Sequence, residues 1–307
     1  MKRIKLFFIF APLAIFAKSS FAQNTQGDWC AAHQMYEEAL KKDANFAKNQ
    51  NELERFTEHY VKAEEAKRAS SVANKSNSVV RIIPVVVHVI HTNGAENISK
   101  AQILTQIDVL NKDFRRLNAD TNLTPGPFKS IAADANIEFR MAQIDPNGNC
   151  TDGINRVYSQ MTNQARDNVK SLIYWPRNKY LNIWVVRTIK NVNGTPGNVI
   201  GFAQFPGGAD STDGVVIAYD WFGTIGTAAS NNGLGRTTTH EVGHWLNLRH
   251  IWGDDAGACS GSDNVTDTPN QADKNFSTCP TFPTLDACTP GGNGILYPDY
   301  MDYTAGA

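Results

Sequence analysis

Three histidines and one glutamate lie within eleven residues of this 307-residue chain, in the segment H-E-V-G-H-W-L-N-L-R-H. On a helix, His240 and His244 are one turn apart, so their imidazoles point from the same face and can bind one metal ion. Glu241 is adjacent to the first of these ligands, where its carboxylate can contact a water on the metal. The spacing therefore predicts a metal site with an acid–base group beside it.

A third histidine, His250, can join the site if the helix ends before it and the chain turns sharply. Asn247 suits that turn because, after glycine, asparagine best tolerates left-handed backbone geometry. Three imidazoles suit zinc, and three protein ligands leave a fourth position for water, as catalytic zinc sites require. Zinc lowers the pKa of that water, and Glu241 would take its proton during attack on a carbonyl and then deliver it to the leaving amine. We therefore predict a zinc-dependent endopeptidase.

Two other interpretations stay open on the sequence. The helix could be an ordinary amphipathic one, with histidines that face solvent and a core stripe of Trp245, Leu246 and Leu248. The chain could also be an inactive binding module that holds zinc and calcium and cleaves no peptide. The sequence contains no G-x-S-x-G motif of serine hydrolases and no phosphate-binding G-x-x-x-x-G-K motif.

The start of the chain predicts export. Residues 1–22 combine a basic start, an apolar stretch over 6–17 and a small-x-small cleavage site at 20–22. The apolar stretch is short for a membrane span, and a retained anchor is the alternative. The formal net charge of −1 gives no electrostatic reason to expect nucleic acid or an anionic membrane as partner. We expect a secreted, extracellular protein with no membrane association once the signal is removed.

The remaining elements divide the chain into a helical segment and an α/β part. Residues 23 to about 68 are charged and helical in character, and the polar stretch 69–78 predicts a linker. A β-branched run from Arg81 to Ile90 predicts a buried strand, and Ser99 predicts the start of a helix within 98–116. Further strands are predicted over 137–144, 180–188, 215–219 and, as a short edge strand, 198–205.

The predicted metal helix covers 237–248, with an N-cap from its threonine-rich entry. The chain after His250 is rich in Gly, Asp, Pro and Cys, and we expect it to be irregular and held by crosslinks or ions. A cleft between the sheet and this irregular part would hold the metal.

The longer segment H-E-V-G-H-W-L-N-L-R-H-I-W-G-D-D, with V-T-D-T-P and Y-M-D-Y-T further along, resembles the bacterial members of the pappalysin family of metzincin metalloproteases. The similarity extends over most of residues 80–307. It implies a metzincin-like α/β (α+β) fold, with a mixed twisted sheet, a backing helix, an active-site helix, an irregular C-terminal subdomain and a helical pro-segment in front. It implies a signal peptide at 1–22, a pro-segment and linker at 23–78, a catalytic domain at 79–307, and protein or peptide substrates.

The resemblance also assigns roles to residues after the third histidine. Met301 would form the Met-turn beneath the metal, and Tyr303 would stabilise the oxyanion. Relatives bind calcium in this region, which implies a site formed by Asp263, the carbonyl of Val265, Asp267 and Thr268, all of them hard oxygen ligands. The alternative is an Asp-rich turn that caps itself.

Cysteines add two further expectations from the resemblance. Some relatives stay latent through a pro-segment Cys thiolate at the open zinc position, and Cys30 in D-W-C-A-A-H lies where that residue would be. The family's Arg before this Cys and Gly after it are absent, and a structural or unpaired cysteine is the alternative. Relatives also pair their C-terminal cysteines in a pattern that implies a Cys259–Cys288 disulfide. It leaves Cys279 without its usual partner.

The end of the sequence carries two more expectations. Relatives continue into a closing helix after the Met-turn, which is missing here, so we expect either that the sequence is a fragment or that the catalytic domain lacks that helix. Members that cut before arginine carry an acidic residue six positions after the Met, where this chain has Ala307. Arginine preference is therefore not expected.

Overall fold

The structure is a computed structural model that describes residues 28–70, 79–190, 199–230, 234–255, 257–276 and 280–304. The predicted signal peptide, residues 71–78 of the predicted linker, and Cys279 lie outside these ranges. No helix within the described ranges is long and apolar enough to cross a membrane.

The predicted pro-segment forms two helices, α1 (Ala32–Lys42) and α2 (Ala44–Ser70). Their exposed faces carry acid–base pairs at i,i+4 spacing, such as Glu38–Lys42 at 2.7 Å and Glu58–Lys62 at 2.5 Å. Such pairs stabilise a helix that has a narrow apolar face. The helical character expected from composition is therefore present in this segment.

A six-stranded sheet forms the centre of the fold. Its strands are β1 (Arg81–His91), β2 (Ile137–Met141), β3 (Ile154–Tyr158), β4 (Leu181–Val186), β5 (Gly201–Ala203) and β6 (Val215–Ala218). The order is β2-β1-β4-β6-β5, and β3 also pairs with β1 beyond the end of β2. All pairings are parallel except that of β5 with β6, which leaves β5 as an antiparallel edge strand.

The β-branched run in β1 is explained by burial of both of its faces. Val85, Val87 and Val89 pack in the cluster under the two backing helices, whereas Ile90 belongs to the cluster on the opposite face. Strands buried on both sides have continuous apolar runs and not an alternating pattern. The prediction of a buried strand is confirmed.

β3 was missed because its sequence, I-N-R-V-Y, has neither an apolar run nor a clear alternation. Its five residues pair with the second half of β1, from Val87 to His91, and none of them is fully buried. β3 is a strand because its backbone pairs with that of β1. Its own sequence pattern does not indicate a strand.

Helix α3 (Lys100–Phe114) supports the segment that leads to the metal helix. Ser99 caps it by accepting from the Gln102 backbone N–H at 3.1 Å, as predicted. Its buried Gln106 donates to the Gly235 carbonyl at 2.9 Å and accepts from the Gly223 N–H at 2.7 Å. These bonds position the residue at which the next helix begins.

Helix α4 (Arg236–Trp245) is the predicted metal helix, but its expected threonine N-cap is wrong. The N-cap is Gly235, in the left-handed region with φ of 68° and no side-chain cap bond. The threonines fall inside the first turn, where Thr239 donates to the buried Asp113 carboxylate at 2.7 Å. Thr239 thus holds the helix against α3, and all three threonines lie within the helix, past the cap position.

Candidate active site

The turn after α4 brings the third histidine to the first two. Asn247 has a φ of 75°, and its N–H donates to the His244 carbonyl at 2.9 Å, while the Leu248 N–H donates to the Gly243 carbonyl at 2.9 Å. This pair of bonds around a left-handed residue is the Schellman motif that ends many helices. The left-handed Asn247 predicted from the sequence is present, and α4 ends three residues earlier than predicted to accommodate the motif.

The three imidazoles converge through their Nε2 atoms. The His244 Nε2 lies 3.0 Å from that of His240 and 3.2 Å from that of His250. All three rings are buried, and burial lowers the pKa of His240 to about 3 and that of His244 well below its usual value. Burial therefore favours the neutral form of His240 and His244.

The Nδ1 atoms of these rings all face acceptors. His240 Nδ1 lies 2.6 Å from the Tyr300 carbonyl, His244 Nδ1 lies 2.8 Å from the Leu248 carbonyl, and His250 Nδ1 lies 2.9 Å from Asp254. Because carbonyls and carboxylates only accept, each Nδ1 carries the proton and each Nε2 presents a lone pair. Three converging lone pairs form a donor set that fits a zinc ion.

Asp254 was not singled out from the sequence. Both of its carboxylate oxygens lie 2.9 Å from His250 Nδ1, and His33 of the pro-segment approaches the same carboxylate at 3.3 Å. A carboxylate that receives the second ring proton of a metal-binding histidine fixes the orientation of that ring. The signal was present in the acidic pair of W-G-D-D, four residues after the last histidine.

Glu241 is buried beside the cluster, with a side-chain oxygen 3.4 Å from the Cys30 Sγ. Burial raises the pKa of this carboxyl to about 8, and the Cys30 thiol hydrogen bond opposes that shift. Gly201 of β5 makes room for it, since a Cβ at Gly201 would lie 2.6 Å from the Glu241 Oε1. β5 therefore packs so closely against Glu241 that a side chain at position 201 would clash with the carboxyl group.

Met301 and Tyr303 both lie at the site and are both buried. The Met301 sulfur packs against α4 at Gly243, where a Cβ would meet it at 2.5 Å. The Tyr303 ring lies 5.6 Å from that of His240 and 5.4 Å from that of His250, and its hydroxyl accepts from the Cys30 N–H at 3.2 Å. Met301 thus lies under the helix and Tyr303 beside the imidazoles, and their predicted roles stay predictions.

Cys30 reaches the cluster from the far end of the chain. One ligand atom from each of Cys30, His240, His244 and His250 can be chosen so that all four lie within 4.8 Å of one another. The pro-segment backbone runs parallel to β5 at this point, with bonds from the Ala31 N–H to the Gly201 carbonyl at 3.1 Å and from the Ile200 N–H to the Trp29 carbonyl at 2.8 Å. Burial raises the pKa of the Cys30 thiol well above its usual value.

The residues of the predicted calcium site lie together in the irregular C-terminal part. Asp263, Val265, Asp267 and Thr268 line a cavity of about 470 Å³. Asp263 is buried and accepts from the Val265 N–H at 2.9 Å, so part of its carboxylate caps its own turn. In the part of the chain that the structure describes, the Cys30–histidine cluster is the only group of three or more His, Cys, Asp or Glu residues with converging ligand atoms. Calcium at this loop stays a prediction.

The irregular character expected after His250 is confirmed for the described residues, where no helix or strand follows α4. The Cys259–Cys288 disulfide implied by the resemblance is formed, with its Cα atoms 5.3 Å apart. Cys150 is exposed and unpaired. The crosslink closes the loop that contains the predicted calcium ligands.

Comparison with known proteins gives a consistent result. A family model described as pregnancy-associated plasma protein-A matches residues 163–306. An extracellular metalloprotease of Pyricularia oryzae is 30% identical over 312 residues, which cover 97% of this chain and 88% of that protein.

Two solved structures of Tannerella forsythia proteins are also similar. Mature mirolysin in complex with a cleaved peptide is 51% identical, with a TM-score of 0.68, and the match covers 74% of this chain and 85% of that one. A promirolysin mutant is 41% identical, with a TM-score of 0.75, and the match covers 90% of this chain and 87% of that one. The fold of this chain therefore occurs in metalloproteases that are similar to it in sequence.

Proposed function

Because the chain belongs to the pregnancy-associated plasma protein-A (pappalysin) family of metalloproteases, we propose that it hydrolyses internal peptide bonds with Glu241 as general base and general acid. The family implies zinc, and the three-histidine cluster has the donor set to bind it. The observation that carries the proposal is the position of the Glu241 carboxylate. It follows His240 directly in α4, is buried, and lies 3.4 Å from a thiol that itself lies among the imidazoles.

The metal site, Glu241 and Tyr303 have separate parts in the reaction. Zinc bound by the three imidazoles supplies an electrophile and makes water at the site more acidic. Glu241 accepts a proton from the attacking water and delivers it to the leaving amine. Tyr303, whose burial keeps its pKa well above the usual value, holds its hydroxyl proton and donates it in a hydrogen bond to the oxyanion.

The proposal includes a latent precursor in which residues 23–78 are the pro-segment and 79–307 the catalytic domain. Residues 29–31 lie along the free edge of β5, where an extended peptide substrate would add as a strand. Cys30 places a thiol among the imidazoles, and thiolate is a good zinc ligand. The greater coverage of this chain by promirolysin than by mature mirolysin supports this assignment.

Secretion is part of the same proposal. It is supported by the signal-like pattern of residues 1–22 and by the extracellular metalloproteases among the relatives. The substrates are then proteins or peptides outside the cell.

The test compares two matured proteins that differ at one carboxyl. The full chain is expressed with zinc, carries a site-specific protease sequence within residues 71–78, and is cleaved there to release the pro-segment. The wild-type protein should degrade casein, lose activity with a zinc chelator and regain it with added zinc. Glu241→Ala should lower casein turnover by about a thousandfold, with unchanged zinc content.

Glu138→Ala is the matched control, since Glu138 lies on β2 and its ion pairs are with Arg115 and Arg140. It should keep wild-type turnover. Full activity in Glu241→Ala would contradict the proposed mechanism, and absence of turnover of any peptide by the zinc-loaded wild type would favour a binding module.

A further inference from the structure

Charge is distributed unevenly across the boundary between the pro-segment and the catalytic domain. Within the described residues, four ion pairs cross it, and in three of them the cation belongs to the catalytic domain. These three are Asp28–Lys274 at 2.5 Å, Glu54–Arg249 at 3.1 Å and Glu38–Arg166 at 3.8 Å. Most of the charged catalytic-domain residues that form ion pairs with the pro-segment are therefore basic.

The Asp28–Lys274 pair lies at the entrance to the active site. Asp28 precedes Cys30 by two residues, and the side chain between them, Trp29, occupies an aromatic pocket. Its ring centroid lies 5.3 Å from that of Phe276, 5.9 Å from that of Tyr303 and 6.3 Å from that of Trp221. Lys274 borders this pocket, with its Nζ 5.7 Å from the centroid of the Phe276 ring.

Lys274 pairs with a carboxylate that is bound at both of its oxygens. Its Nζ donates to the Asp28 Oδ1 at 2.5 Å, and Gln34 of the pro-segment donates to the other carboxylate oxygen at 3.2 Å. The Lys274 side chain is 19% exposed, and within the described ranges Asp28 is the only carboxylate in ion-pair contact with it. Loss of the pro-segment removes this ion-pair partner and leaves the Lys274 ammonium beside the aromatic pocket.

We propose that Lys274 is a specificity-determining residue of the mature enzyme and binds an acidic side chain of the substrate. The neighbouring substrate residue would be aromatic or large and apolar, held by Trp221, Phe276 and Tyr303 as Trp29 is. An ammonium group gains most from a partner that is both charged and hydrogen-bonded. This inference rests on the proposed function and names its substrate class as peptides with an acidic residue close to the scissile bond.

The experiment measures the acid preference position by position. The full chain is matured at the inserted cleavage sequence and given quenched-fluorescence peptides in Asp/Asn pairs. In these peptides the Asp is moved through three positions on each side of the scissile bond, next to a Phe. Both kcat and KM are measured, and mass spectrometry confirms the cleaved bond. The variants are Lys274→Gln, Lys274→Arg and, as a matched control, Lys129→Gln, since Lys129 is exposed and belongs to none of these pairs.

In the wild-type enzyme, one position should show a kcat/KM about five- to tenfold higher for Asp than for Asn, mainly through KM. High salt should reduce this preference. Lys274→Gln should abolish it and Lys274→Arg should keep it, whereas Lys129→Gln should leave kcat/KM unchanged for both peptides of each pair. Equal zinc content and melting temperature across the variants show that folding is unaffected.

Two results would overturn the role of Lys274: no Asp preference at any position in the wild type, or a preference that survives in Lys274→Gln. Casein turnover, measured in parallel, separates this inference from the proposed function. Casein cleavage without an Asp preference contradicts only the role of Lys274, whereas an inactive wild type contradicts the proposed protease itself.

Discussion

The three histidines are each oriented by an acceptor on Nδ1, but only His250 depends on a side chain for it. The acceptors of His240 and His244 are the backbone carbonyls of Tyr300 and Leu248, which no substitution removes. Asp254 is thus the one of these three acceptors that a side-chain substitution can remove.

We expect Asp254→Ala to weaken zinc binding by about 10- to 100-fold in the matured protein, because the His250 ring loses its fixed orientation. Asp254→Asn keeps an acceptor for the ring proton and should recover part of the loss. Zinc affinity is measured by competition with a chromophoric chelator. An unchanged affinity in Asp254→Ala would show that His250 is oriented by its packing alone.

The turn after α4 determines whether the ligand set is complete. A helix continued past Trp245 would carry His250 away from His240 and His244, and the left-handed Asn247 prevents this. Left-handed geometry costs roughly 1–2 kcal/mol for a residue with a Cβ and little for glycine.

Asn247→Ala should therefore lower the free energy of unfolding of the matured protein by about 1 kcal/mol, whereas Asn247→Gly should be tolerated. The matured form is used because Glu54 of the pro-segment accepts from Asn247 at 3.3 Å in the precursor. Urea unfolding of the two variants measures the difference. Equal stabilities would show that the turn does not depend on the backbone preference of this residue.

The sheet contains a histidine that makes stability depend on pH. His88 of β1 is fully buried, and its Nδ1 accepts from Asn155 at 3.2 Å while its Nε2 donates to Asn182 at 2.9 Å. Burial lowers the pKa of His88 to about 4, against the opposing effect of the Asn182 hydrogen bond. The folded state therefore favours the neutral form of the His88 ring.

Because this folded pKa lies below the unfolded value, the contribution of His88 is complete above about pH 6.5 and is lost as pH falls toward 4. Between pH 7 and 4.5 the zinc-loaded wild type should lose about 2 to 3 kcal/mol more than His88→Leu. Urea unfolding at each pH gives the two slopes. Parallel slopes would mean that His88 accepts a proton in the folded state as readily as in the unfolded state.

The whole molecule is organised around the contact between the pro-segment and the cleft. The backbone N–H of Cys30 donates to the hydroxyl of Tyr303, which lies 273 residues further along the chain. Release of this segment, as proposed, would change substrate access, remove the Cys30 thiol and alter the charge of the cleft.

Cys30→Ala should accelerate maturation of the full-length precursor several-fold, because the thiol no longer holds residues 29–31 at the histidine cluster. Cys150→Ala is the matched control, since that thiol is exposed and unpaired. Loss of the pro-segment is followed by mass spectrometry and by the lag before casein cleavage. If both variants mature at the wild-type rate, Cys30 does not act as a latency switch.

The sequence by itself determined the histidine set, the buried strand and the left-handed turn at Asn247, because helix periodicity and backbone preference act over a few residues. The family resemblance added Met301, Tyr303 and the Cys259–Cys288 pair. Only the tertiary structure decided that Asp254 supports His250, that Gly201 lies against Glu241, that β3 pairs with β1 and that Asp28 pairs with Lys274. Those contacts depend on which distant segments pack together, and the local sequence pattern does not determine that.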